Sequence, residues 1–109
     1  MLDTSPLNAA VERFADRLRA APQSRLQRGA AAEALALARE LSARAQGLEG
    51  VPAGELREMP DAGIFVVGDQ VQVAGQDLAE ALRNAGTASP GMVDEAVVLV
   101  EQAEIRAMR

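Results

Sequence analysis

Apolar residues recur along most of this chain at the spacing of a helix face. Leu7, Val11, Phe14 and Leu18 fall at i, i+4, i+7 and i+11, with Glu12, Arg13, Asp16, Arg17 and Arg19 on the remaining arc. That pattern predicts an amphipathic helix from about Pro6 to Ala20. Ser5 suits its cap, Pro6 its first position, and Pro22 ends it. A longer stripe follows, made of Leu26, Ala30, Ala34, Leu37, Leu41 and Ala45 and widened by Ala31, Leu35 and Ala38. Ser24 and Gln27 fit a capping box at its start, and Gly47 is placed to end it. The tight link through Pro22 and Gln23 predicts a helical hairpin over residues 5–47. Gly29 lies inside the second helix, where glycine costs about 1 kcal/mol relative to alanine. With Ala30, Ala31 and Ala34 beside it, it predicts the close approach of another helix.

The period then changes. Residues 48–62 read as a connector rich in Gly and Pro, with one short helical turn at Gly54 to Met59. After it comes "IFVVGDQVQVA", in which an apolar run, Ile64 to Val67, and an alternating run, Gln70 to Val73, flank Gly68-Asp69. This predicts a β-hairpin over residues 64–74 with a two-residue primed turn. Its register pairs Val67 with Gln70, Val66 with Val71, Phe65 with Gln72 and Ile64 with Val73. Residues 76–109 read as C-terminal helices. A short one from Asp77 to Ala85 turns Leu78, Ala81 and Leu82 inward, and Ser89-Pro90 opens a last one with a broad apolar face. The run Val97 to Val100 is β-branched enough for a buried strand, but a length of about 19 residues favours helix. The expected fold is thus one α+β domain spanning residues 1–109, with about four helices and a β-hairpin between the second and third.

A two-stranded hairpin is marginal by itself in water. The first strand is apolar at every position and carries no Lys, Pro or inward charge, the devices that guard a free edge. Antiparallel pairing with a second copy would protect it. The expected interface is therefore Ile64, Phe65, Val66, Val67, Val71 and Val73.

Composition narrows the functional classes. Thirty residues are Leu, Val, Ile, Met or Phe and 23 more are Ala, while Phe14 and Phe65 are the only aromatics. One aliphatic core is expected. No window approaches the roughly 18 apolar residues of a membrane span, and Glu33 interrupts the longest Ala/Leu run. The start, MLDTSPLN, lacks a basic region followed by an apolar one, so a cytoplasmic location and no membrane partner are expected. All eleven basic residues are Arg, and Lys, His, Cys, Tyr and Trp are absent. Selection for Arg forks would give this pattern; the codon usage of a GC-rich genome accounts for it more simply. The net charge is −5 with Arg scattered along the chain, so no cationic footprint for nucleic acid is visible.

With that alphabet, only carboxylates and a few hydroxyls remain for chemistry. Ser5, Ser24 and Ser89 are accounted for as helix starts. Glu55, Glu58 and Asp61, three apart, would gather as a hard-cation site on a helical turn, although a solvated loop is the simpler reading. No phosphate loop, EF-hand or zinc spacing is present. The expectation is no catalytic, metal or cofactor site, and no cofactor. "VGDQVQV" has the turn-to-strand form of small RNA-binding barrels, which need more strands than this chain has. A winged helix would need a basic recognition helix, and the second helix presents Ala, Glu and Gln.

The segments "AAAEALALARELSARAQGLEG" and "PDAGIFVVGDQVQVAGQDLAEAL" resemble small acidic proteins of unassigned function from high-GC actinobacteria. The resemblance implies a bacterial source and adds nothing about mechanism. The functional expectation is a non-catalytic interaction or structural module, a homodimer with an unidentified protein partner. The alternative is a small-molecule-sensing or DNA-associated regulatory domain.

Overall fold

The computed structural model describes all 109 residues, and every regular element in it is helical. Four long helices carry the fold: α1 (Ser5–Ala20), α2 (Ala31–Leu48), α3 (Val67–Asn84) and α4 (Pro90–Ala107). The expected α+β class is therefore corrected to all-α. Residues 64–74 contain no strand pairing: Ile64–Val66 form a 3-10 turn, and α3 runs from Val67 straight through Gly68-Asp69. The cross-strand pairs expected for Ile64, Phe65, Val66 and Val67 do not form, and there is no sheet edge to share with a second copy.

The reason lies in the window over which the period is read. Val67, Val71, Ala74, Leu78 and Leu82 recur at i, i+4, i+7, i+11 and i+15, and all are buried. A period of two puts Val71 and Val73 on one face. In the helix they part company, Val71 at 0% exposure and Val73 at 50%. Val and Gly are weak helix formers, so burial of this face holds the start of α3 rather than intrinsic preference. Gly68 and Gly75, seven residues apart, are contact points with α1. A Cβ at Gly68 would stand 3.1 Å from the Ala15 carbonyl oxygen and from Arg19 Cγ. One at Gly75 would lie 2.6 Å from both Val11 methyls. Asp69, in the first turn of α3, suits the positive end of that helix and accepts from Arg19 NH2 at 2.6 Å. That hydrogen bond raises the Arg19 pKa further.

The other helices follow their stripes. Leu7, Val11, Phe14 and Leu18 are buried on α1, while all its charged residues are exposed, Asp16 paired there with Arg19. Val97 to Val100 is helical, inside α4, which starts at Pro90 after Ser89. The serine caps do not act as expected: no side-chain cap bond forms at the start of α1 or at Gln23. Asp3 serves α1 instead, accepting the Ser5 N–H at 2.9 Å. Bonds from the Ser5 hydroxyl and then its N–H hold the Asp3 carboxyl below its ordinary pKa.

α2 is preceded by one helical turn, Gln23–Arg25, and a wide, π-type turn, Leu26–Ala30. Gly29 in that turn has φ +152° and ψ −18°, and a Cβ added there would meet nothing within 4 Å. Its role is backbone conformation, not the close helix approach expected of it. Gly47 does not end α2 either. The helix runs on to Leu48 and closes through a Schellman pair, Val51 N–H to Gln46 C=O at 3.0 Å and Gly50 N–H to Gly47 C=O at 3.1 Å. Gly50, at φ +88°, takes the left-handed position.

α1 and α2 each pack against both α3 and α4. The two members of each pair make no comparable contact with one another, so the expected hairpin of the two N-terminal helices is also corrected. The lead-in to α2 carries the chain across the end of α4 instead, where Arg25 NH1 donates to the Met108 carbonyl at 2.9 Å. The short dimension of the molecule, 17 Å, is about two helix layers. One cluster of 25 buried residues joins all four helices, so there is a single core. Its edge is fastened by Glu104, almost fully buried on α4, which accepts from Arg13 Nε at 3.2 Å and Arg17 NH1 at 3.0 Å on α1.

Candidate functional site

The connector between α2 and α3 has little regular structure beyond a 3-10 turn at Ala53–Glu55, yet it is held in place. Gln46, buried on α2, takes both backbone groups of Arg57: its Nε2 donates to the carbonyl at 2.8 Å, and its Oε1 accepts the N–H at 2.8 Å. Arg39 Nε donates to the Met59 carbonyl at 2.8 Å. Gln70 Nε2, from α3, donates to the Pro60 carbonyl at 2.8 Å, while its Oε1 is buried without a donor. Asp61 accepts the Gly63 N–H at 3.0 Å. Three side chains from two helices thus fix a strap that ends in the Ile64–Val66 turn.

That turn presents Phe65. Of the two aromatics, Phe14 is fully buried and Phe65 is 72% exposed. Beside the turn lies a hollow of about 350 Å³ between the strap and the start of α2. Leu26, Leu35, Ala36, Ile64 and Val67 give it apolar walls, Gly29 borders it, and Arg39 and Asp61 add polar groups. The six residues expected at an interface are divided by the fold. Val67 and Val71 belong to the core, Ile64 and Val66 are half-buried, and Phe65 and Val73 face solvent. Only Ile64, Phe65 and Val67 meet at this hollow or flank it. Its far wall is hidden in the sequence because Leu35 reads there as core; in the fold it is half-buried and lines the hollow.

The connector carboxylates do not converge. Glu58 lies 3.5 Å from Arg39 Nε, Asp61 bonds its own backbone, and no group of three carboxylates is placed to hold a metal ion. A second apolar hollow, about 260 Å³, lies where Leu78 and Leu82 of α3 face Met92 and Ala96 of α4. Arg44 crosses it to Glu95 at 2.6 Å, and this bond, ahead of a weaker one to Glu40, raises the Arg44 pKa. No helix of the chain is long and apolar enough to cross a membrane. Comparison with protein-family models, with curated proteins and with solved structures finds no match to this chain.

Proposed function

We propose that this chain is a non-catalytic interaction module of the bacterial cytoplasm that works as a homodimer, with the Ile64–Val66 turn and the adjoining hollow as its contact surface. The observation that carries the reading is Phe65, an exposed aromatic on a pinned turn next to an apolar hollow large enough for such a ring. Knob and hollow sit side by side on one molecule. That arrangement suits an isologous two-fold contact, in which each copy gives its Phe65 and receives the other's. Rigid aromatic anchors are the usual centres of binding energy.

The expected affinity is modest. Docking two Phe side chains removes on the order of 150 Å² each, or roughly 7 kcal/mol together at 25 cal/mol per Å². Association costs about 4–15 kcal/mol, so the flanks of the hollow must contribute and the dimer should be concentration-dependent. Sedimentation velocity across a concentration series tests this. Wild type should shift from monomer to dimer, Phe65→Glu should stay monomeric with unchanged helical circular dichroism, and Ala36→Glu in the hollow should do the same. Val73→Glu, on the outer face of α3, should dimerise normally. A wild type that is monomeric throughout, or a Phe65→Glu variant that dimerises like wild type, overturns the proposal.

A further inference from the structure

Eight of the eleven arginines direct their guanidinium to a carboxylate, carbonyl, amide or hydroxyl oxygen of the chain; Arg28, Arg57 and Arg109 do not. Two of those three meet in one groove. It has a volume of about 440 Å³ and lies where the lead-in to α2 crosses the end of α4. Arg25 and Arg28 line it from one side, Arg106 and Arg109 from the other, and Glu33 is its only carboxylate side chain. The remaining lining is Gly29 and alanines, which leave the floor open.

We propose that this groove binds a compact polyanion, a free phosphorylated small molecule whose phosphate oxygens are taken by guanidinium forks. Helix ends and ion pairs account for only half of the cations present. Arg25 NH1 donates to the last carbonyls of the α4 region, Met108 at 2.9 Å, and Arg106 Nε donates to Glu33 at 2.9 Å. Both bonds leave guanidinium N–H groups unused and fix the direction of the fork. Arg28 and Arg109 have no such task. Four guanidiniums stand here against the Glu33 carboxylate and the main-chain oxygen of Arg109, which accepts from Arg25 NH1 at 3.4 Å, and in a chain of net charge −5 they concentrate positive potential where the rest of the surface is acidic. Two pre-oriented forks and two free ones suit a tetrahedral polyanion, since Arg offers paired donors at phosphate spacing. Concavity and the small floor favour a small ligand over an extended polymer backbone. This inference does not rest on the dimer contact: the two hollows adjoin and share Gly29 and Ala32, but Arg25, Arg28, Arg106 and Arg109 line only this groove.

The test is calorimetric titration of the full chain with inorganic pyrophosphate at physiological ionic strength, with amide shifts in NMR to locate the site. Saturable binding is expected, with the largest shifts at Arg28, Gly29 and Arg106. Arg28→Ala should weaken it about tenfold, the loss of one charge-assisted bond. Arg28→Lys should lose less, because the charge remains without the fork. Arg57→Ala, which removes the unpartnered arginine of the connector, should bind as wild type. The Arg28 guanidinium makes no hydrogen bond or ion pair in the fold, so the melting temperature of its variants should not change. Three results would overturn the proposal: no saturable binding, an Arg57→Ala loss equal to that of Arg28→Ala, or binding to anionic vesicles or duplex DNA without binding to pyrophosphate.

Discussion

Gly75 and Gly47 each sit inside an alanine-rich helical stretch, and the fold uses them differently. An added Cβ at Gly75 would overlap both methyls of Val11, itself only 3% exposed and unable to swing into solvent. Gly75→Ala gains about 1 kcal/mol in helix propensity but overpacks a close contact by about 1–3 kcal/mol, so a net loss of up to about 2 kcal/mol is expected. At Gly47 nothing lies within 4 Å and φ is negative, so Gly47→Ala should stabilise by about 0.4–1 kcal/mol. Urea melts of the two variants should move in opposite directions; a stabilised Gly75→Ala would mean that α1 and α3 are not held this close. The same residues show why sequence alone misreads glycine. A turn, a close approach and a positive φ all select it, and local context does not separate them. Gly68 reads as a turn and is a contact, whereas Gly29 reads as a contact and is a backbone bend. The clue that does separate them is the seven-residue step from Gly68 to Gly75, in phase with Val71, Leu78 and Leu82.

Among the elements, α1 and α4 are legible because their apolar stripes extend over three or more turns with one Pro marking each start. The first ten residues of α3 are not, because "QVQV" is too short to distinguish a period of 2 from one of 3.6, and "GD" supplies a plausible turn. The candidate interface is partly legible: the sequence points to Phe65 and Ile64, although for a strand edge that does not exist. What it cannot show is the strap that holds them, since that depends on side-chain bonds to irregular backbone. Gln46 is the centre of that strap. Gln46→Ala removes both bonds to Arg57, whose backbone then returns to water, so a cost of about 1–2 kcal/mol is expected. Limited trypsin digestion gives a more local reading, because Arg57 is itself a cleavage site. The variant should be cut there well before the helices are attacked. Unchanged cleavage at Arg57 would show that Arg39 and Gln70 suffice to hold the strap.

At the scale of the whole molecule, the arrangement of charge matters more than its sum. Along the sequence the arginines are scattered, and Arg25 and Arg28 are separated from Arg106 and Arg109 by most of the chain. Closure of the fold brings them together, which no pattern of spacing could reveal. The resulting groove is still a small cationic footprint. Proteins that hold duplex DNA neutralise about 6–10 phosphates along its length, and four guanidiniums around one hollow do not follow a backbone. Elsewhere the exposed carboxylates Glu12, Asp77, Glu80 and Asp94 have no cationic partner and would repel a phosphate backbone. The expected outcome is that fluorescence anisotropy of a labelled duplex shows no binding at about 150 mM salt, where even non-specific binders reach 10⁻⁴ to 10⁻⁶ M. Lowering the salt should bring in only weak association, and pyrophosphate should displace it by occupying the same arginines. Micromolar binding to the duplex at the higher salt, insensitive to Arg28→Ala, would mean that another face of the molecule carries a cationic surface, against the ion pairing described above.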